Sequence, residues 1–369
     1  MPWLCGLRRL YRPLKMIDEL AFLEVIRQSP ADDGPRLIYA DFLEEKGDPA
    51  SVARAEFIRL QCLLARGADR PDDFLPALER ERELQNLHWR IWMRPVCQAL
   101  GEPVPMGPIA PEGKKLERLG RDSHEEISRR ERYFLKRVME QGPCSHVVEQ
   151  HWGRGRDIPY LHSAQFRRGF VSHVTLAAKS YRTAMHVVRL LERTPVEGLA
   201  FVGCTPELFA EVLNTNDLTQ LRTLELIFTD PEVIRMAARC PGLARLERLI
   251  IRHTHGNDDI GRVLAAGQEL VGLRHLQVRA CAVSRVGMEE FLGLPYLPNL
   301  ETLGFPDCAN LNDHSLMVIT EAGDWPKLRN FDVSGARASL VMREILGSMF
   351  AGRLTTDNDE TEWPELYRF

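Results

Sequence analysis

The amino-acid sequence predicts an α/β solenoid, with a parallel sheet on the concave side of an arc and helices on the convex side, preceded by a small all-α domain. Three observations carry that prediction. A nine-residue strand pattern recurs through the second half of the chain. Amphipathic segments of helical period separate the copies. Ahead of them stand three short helical segments, each with its own start and stop signals. A chain of 369 residues has room for two or three such domains.

The recurring pattern reads L-x-x-L-x-L-x-x-[C/N/T]. It occurs as "VEGLAFVGC" from Val196, "LRTLELIFT" from Leu221, "LERLIIRHT" from Leu246, "LRHLQVRAC" from Leu273, "LETLGFPDC" from Leu300 and "LRNFDVSGA" from Leu328. A weaker first copy, "VSHVTLAAK", begins at Val171. The central positions Val174, Leu199, Leu224, Leu249, Leu276, Leu303 and Phe331 lie 25, 25, 25, 27, 27 and 28 residues apart. Near-constant spacing of this kind marks a repeat architecture. In a strand, side chains alternate between faces, so the fourth and sixth positions are expected inside and their neighbours outside. Cys204, Cys281 and Cys308 fall on the ninth position and are expected to pack as small buried hydrophobes. Between the strands, "PELFAEVLN", "PEVIRMAARC", "SRVGMEEFLG" and "NLNDHSLMVITEAG" read as convex helices. The pattern resembles the leucine-rich repeat of the ribonuclease-inhibitor-like, cysteine-containing type over roughly 165–350, and implies a seven-unit arc.

The N-terminal elements follow the same logic. Ile17, Leu20, Phe22, Leu23 and Ile26 share one helical stripe that ends at Pro30. Asp32 or Asp33 is expected to cap the next helix, Pro35 to lie in its first turn and Gly47 to supply a left-handed stop. "SVARAEFIRLQCLLARG" forms the third helix. Asp41, Glu44 and Glu45 have Arg36, Lys46, Arg54 and Arg59 as neighbours. Carboxylates among arginines are ion-paired, which disfavours a general acid and favours scaffold. The stretch "DDGPRLIYADFLEEKGDPASVARAEFIRLQ" resembles the short repeat-companion domain of planctomycete and some myxobacterial proteins. That family's pattern runs D-D-x-P-R-L-x-Y-A-D-W-L-E-E-x-G-D, then R-A-E-F-I-R-L-Q. Phe42 stands in place of its tryptophan, and Ala50, Ser51 and Val52 lengthen the link to Arg54. The resemblance implies a non-catalytic module beside a repeat array.

The expected organisation is therefore a helical companion domain over 16–68, a connector over 69–164, the repeat arc over 165–350 and an acidic tail over 351–369. In the connector, "DDFLPALERERELQNLHWRIWMRPV" reads as one long helix and "GEPVPMGPIAPEG" as a loop. "SHEEISRRERYFLKRVMEQG" reads as a charged helix. Met16 is a more natural start than Met1, which makes residues 1–15 an expected extension. A net charge of −4 supplies no global field for nucleic acid or an anionic membrane. No apolar run reaches the length of a membrane span, and scattered cysteines without a CxxC pair suit a reducing compartment. Cytoplasm is the expected location.

Chemistry-bearing motifs are sparse. There is no Walker loop, no strand-linked GxGxxG and no GxSxG. Cys144, His146, His151 and His162 could be drawn into a cysteine hydrolase or a zinc site, but their spacing matches no metal motif. Cys240, His253 and His255 offer the same story more faintly. No metal and no cofactor is expected. What remains is the outward face of the strands, where Glu225, Ile227, Arg248, Ile250, Arg252, His275, Gln277, Arg279 and Asp332 form the expected partner-binding surface. A basic centre of Arg248, Arg252, His275 and Arg279, edged by two isoleucines, suits a protein partner, since arginine is a common interface anchor. Phosphate or nucleic-acid binding through Arg248, Arg252 and Arg279 is the alternative.

Overall fold

A computed structural model describes residues 14–66, 71–101, 104, 145–147, 161–178, 182–215, 217–254, 259–294, 299–308, 310–321, 327–350 and 353–356. Four helices lead: α1 (Leu14–Gln28), α2 (Gly34–Glu45), α3 (Pro49–Ala65) and α4 (Pro71–Leu100). Asp48 caps α3 by accepting the Ser51 N–H at 2.9 Å, with Pro49 in the first turn. Gly47 takes the left-handed conformation (φ 72°) that ends the preceding helix. At α2 the expectation divides. Asp33 stands at the N-cap, but its side chain is drawn away to Arg66 Nε at 2.9 Å, and the Asp32 carboxylate accepts the Gly34 N–H instead.

The rest of the chain alternates strand and helix. Strand β2 (Leu161–Arg167) pairs antiparallel with β1 (Ser145–Val147) on one side and with β3 (Phe170–Ala177) on the other. From β3 onward the sheet is parallel through β4 (Gly198–Val202), β5 (Thr223–Ile227), β6 (Arg248–Arg252), β7 (His275–Arg279), β8 (Thr302–Gly304), β9 (Asn330–Asp332) and β10 (Leu354–Thr355). All ten strands lie in chain order, so each unit pairs only with its neighbours. Between them run α5 (Arg182–Arg193), α6 (Pro206–Thr215), α7 (Pro231–Ala238), α8 (Asp259–Ala265), α9 (Arg285–Leu292), α10 (Asp313–Glu321) and α11 (Leu340–Phe350). These pack in single file, and α3 and α4 extend the file at its N-terminal end. The chain is thus α/β, with a mostly parallel sheet backed by one helical layer.

Strand register follows the periodicity of the sequence. Val174, Leu199, Leu224, Leu249, Leu276, Leu303 and Phe331 sit directly opposite one another across six successive parallel pairings. All seven are buried, as are Cys204, Cys281 and Cys308 at the strand ends. The Cys308 thiol donates to the Val278 carbonyl at 3.3 Å, and burial pushes both it and the Cys204 thiol up to about 12.

Two features extend the sheet beyond the repeated pattern. At its start, β2 adds an antiparallel strand where the sequence pattern marked only the entry to the repeats. At its end, β10 lies in a segment expected to be an acidic tail. The β2–β3 turn also locks the helical domain to the sheet. Gly169 (φ 86°) donates its N–H to Gln61 Oε1 at 2.6 Å, and any Cβ there would stand 2.4 Å from Ile58. Arg168 reaches the Ala31 carbonyl at 2.6 Å. Arg54, expected among carboxylates, instead lies over the rings of Trp92, Phe170, Phe166 and Phe57 at 4.7–5.8 Å. Desolvation in that aromatic enclosure lowers its pKa to about 10. Phe57, Trp92, Phe166 and the repeat leucines belong to one continuous core, so the helical domain and the sheet are joined through packed side chains.

Six of the parallel strands, β4 to β9, are followed at or shortly after their ends by a residue in the left-handed region: Gly203, Phe228, His253, Ala280, Asp307 and Gly335, with φ between 50° and 75°. The N–H groups of Gly203, Phe228, His253, Ala280 and Asp307 donate to carbonyls of the next repeat. Gly203 donates to Ile227, Phe228 to Arg252 and His253 to Arg279, at 2.8–3.1 Å. Four of the six are not glycine, a rare occupancy of that region.

Candidate interaction surface

The outward side chains of the parallel strands form three rows at strand spacing, about 4.8 Å from one to the next. One row runs Gly198, Thr223, Arg248, His275, Thr302, Asn330. The middle row runs Ala200, Glu225, Ile250, Gln277, Gly304, Asp332. The third contains Val202, Ile227, Arg252 and Arg279. Every residue expected at the partner-binding surface occupies one of these rows, and all nine share one face of the sheet.

Their environment differs from expectation. Alternation predicts a solvated outer face, yet the middle row is buried: Glu225 is 1 % exposed, Ile250 2 % and Gln277 3 %. Asp332 and Ile227 are buried as well. One visible cause is that the long side chain of Arg252, in the third row, leans inward. Arg252 Nη1 crosses from its own row to donate to Glu225 Oε1 at 2.9 Å.

The expected basic centre also has less free charge than its composition suggests. Arg252 is held by Glu225, and Arg279 binds Asp307 Oδ2 through Nε and Nη2, both at 3.0 Å. His275 shares a hydrogen bond of 3.0 Å with Thr302 Oγ1. Burial, aided by the charge of Arg248, lowers its pKa to about 3, so the imidazole is neutral at physiological pH. Burial pushes Glu225 up to about 7 against the pull of Arg252. It does the same to Asp332, although one Asp332 oxygen accepts the Ser334 N–H at 2.8 Å. Neither amide atom of Gln277 has a hydrogen-bond partner.

The carboxylate-rich opening segment assembles no acid–base pair. Arg59 Nη2 bridges Asp41 and Glu44 at 2.7 and 2.6 Å, and Lys46 and the Tyr39 hydroxyl both bind Glu19. These are exposed or half-buried ties between helices. Cys144, His151 and His255 lie outside the described residues. His146 is in β1 and His162 in β2. Cys240 is half-buried beyond α7, whereas His253 stacks on Phe228 with ring centroids 4.8 Å apart and planes 14° apart. Among the described residues no group of three or more His, Cys, Asp or Glu side chains is arranged to hold a metal ion. None of their helices is long and apolar enough to cross a membrane.

Sequence reasoning missed the Phe228–His253 pair. Phe228 is 51 % exposed at the end of a strand, where the pattern leaves the residue type unspecified. The only available signal was that Gly203 and Gly335 occupy the equivalent position in other copies.

No family model matches the chain, and no curated protein matches it.

Proposed function

We propose that the chain is a non-catalytic interaction protein. A protein partner docks on the outward face of a leucine-rich-repeat arc, and an N-terminal repeat-companion domain closes the first end of that arc. The observation that carries this reading is the strand-for-strand register from Val174 to Phe331. It aligns side chains from six strands into continuous rows on a rigid frame, and a preorganised surface loses little conformational entropy when it binds.

The reactive groups among the described residues are in states that suit a scaffold. The six described cysteines form no disulfide and five of them are buried, and each one with a resolved shift has its thiol raised by burial. His275 is neutral and hydrogen-bonded, and the carboxylates of the opening segment are tied to Arg59 and Lys46. A protein partner is favoured over phosphate or nucleic acid because Arg252 and Arg279 already hold carboxylates. The same reading puts the chain in the cytoplasm, supported by the absence of a disulfide among the described cysteines.

Quantitative capture from the native cell tests the proposal, using the tagged wild-type chain beside two double variants. Arg248→Ala with Arg279→Ala alters the outward face, and Arg235→Ala with Arg239→Ala alters the convex layer. A partner retained by wild type and the convex variant but lost from the outward-face variant supports the reading. Equal retention by all three removes it.

A further inference from the structure

We propose that the break in the middle row at Gly304 is a subsite for a primary carboxamide, the side chain of an asparagine or glutamine of the protein partner. The inference rests on the protein-binding reading and assigns the partner a chemistry. Gln277, Gly304 and Asp332 lie directly opposite one another on β7, β8 and β9. Gly304 has no side chain. Two strand spacings, about 9.6 Å, therefore separate Gln277 from Asp332 with no side chain of the row between them.

Unmet hydrogen bonds mark both edges of that break. Gln277 is almost fully buried and Asp332 fully so. Neither amide atom of Gln277 has a hydrogen-bond partner, and Asp332 Oδ2 has none either, its other oxygen being taken by the Ser334 N–H. Buried polar groups in folded proteins are nearly always paired, and each one left unmet costs stability. The flanking rows do not share this demand. His275 is bonded to Thr302 on one side, and Arg279 to Asp307 on the other. The unmet groups are confined to the floor between two rows of half-exposed side chains.

A count of donors and acceptors selects the ligand. Gln277 offers one acceptor and one amide donor group, and Asp332 offers one further acceptor. A primary carboxamide carries one acceptor and two N–H donors. Its oxygen accepts from Gln277 Nε2, the N–H beside that oxygen donates to Gln277 Oε1, and the second N–H donates to Asp332 Oδ2. Ammonium and guanidinium groups have no acceptor for Gln277 Nε2, and Arg279, whose charge already acts on Asp332, opposes a second cation. A carboxylate has no donor for either acceptor and adds a negative charge beside Asp332. A backbone peptide group has a single N–H and leaves Asp332 unmet.

Chemical-shift titration of the full chain, isotope-labelled at its glutamine side chains, tests this with propionamide, propionate and propylammonium as probes. The buffer is held above the Asp332 pKa, which burial raises to about 7, so that the carboxylate is ionised. Propionamide is expected to shift the Gln277 side-chain signal, which Gln277→Leu identifies by its loss, and the two charged probes are expected to leave it in place. Asp332→Asn keeps an oxygen for the Ser334 N–H but turns the second acceptor into a donor. It should weaken propionamide about tenfold, the scale of one lost hydrogen bond to a charged group. Gln277→Leu should melt no lower than wild type, because it replaces unmet polar atoms by apolar ones of similar volume. No shift with propionamide, which would leave the site to an ordered water only, overturns the proposal. So does an equal shift with either charged probe, undiminished propionamide binding in Asp332→Asn, or a fall in melting temperature in Gln277→Leu. A captured partner whose affinity ignores Gln277→Leu but depends on Arg248 and Arg279 removes the subsite and leaves the protein-binding reading standing.

Discussion

Replacing Ile250 by aspartate tests the buried middle row in a way that simple strand alternation does not. Leu249 and Ile251 face the helical layer and Ile250 faces the opposite side, so alternation alone makes Ile250→Asp harmless. In the structure all three are buried. The substitution forfeits roughly 1.5–3 kcal/mol of hydrophobic burial. It also places an unpaired carboxylate between Glu225 and Gln277, its neighbours in the row, for at least about 2 kcal/mol more. A loss of about 4–5 kcal/mol is expected, on the scale of the whole stability of many domains. Asn330→Asp, on a half-exposed row of the same face, should change stability by less than about 0.5 kcal/mol. Urea denaturation followed by circular dichroism, with midpoints compared at constant slope, gives both values. The penalty at Ile250 should also shrink on acidification, because a buried aspartate with a raised pKa is protonated there and costs less. An Ile250→Asp midpoint equal to wild type would refute the reasoning, since it would mean that the middle row is open to water.

Two further predictions concern other parts of the molecule. Glu225 has a folded-state pKa of about 7 against an ordinary value of 4.5, so its contribution to stability is fully present below about pH 4.5 and is lost as pH rises to 7. Glu225→Gln should flatten that part of the stability–pH curve by up to about 3 kcal/mol, and an unchanged slope would contradict the burial of this carboxylate. Gly169→Ala should destabilise the junction by more than about 2 kcal/mol, because the left-handed backbone and the collision with Ile58 act together; a neutral result in thermal melting would contradict the packing of the turn on α3.

The register of the sheet was legible because leucine spacing reports it directly: Leu199, Leu224 and Leu249 recur at an interval that only neighbouring strands in register accommodate. The surface was legible only as a set of positions. Which outward residues are buried depends on lateral contacts such as Arg252 with Glu225, across 27 residues of chain, and a strand pattern carries no information about them. Arg54 misled for a similar reason. Its sequence neighbours are carboxylates, whereas Trp92, Phe166 and Phe170, which enclose it, arrive from α4 and the β2–β3 hairpin. The hairpin strand "LHSAQFR" lacks the leucine signature, and β10 is too short to register as a strand. The left-handed row escaped notice because phenylalanine, histidine, alanine and aspartate at one structural position share no side-chain property; what they share is a backbone conformation.

The central claim is that a protein partner docks on the outward face of the parallel strands. Isothermal titration of the purified partner against wild type and Arg248→Ala/Arg279→Ala tests it most directly. The account predicts an affinity loss of at least about 2 kcal/mol in the double variant, the scale of a hot-spot loss, with an unchanged urea midpoint and with full affinity kept by the convex Arg235→Ala/Arg239→Ala control. Full affinity in the outward-face variant, or an equal loss in the convex control, would contradict it.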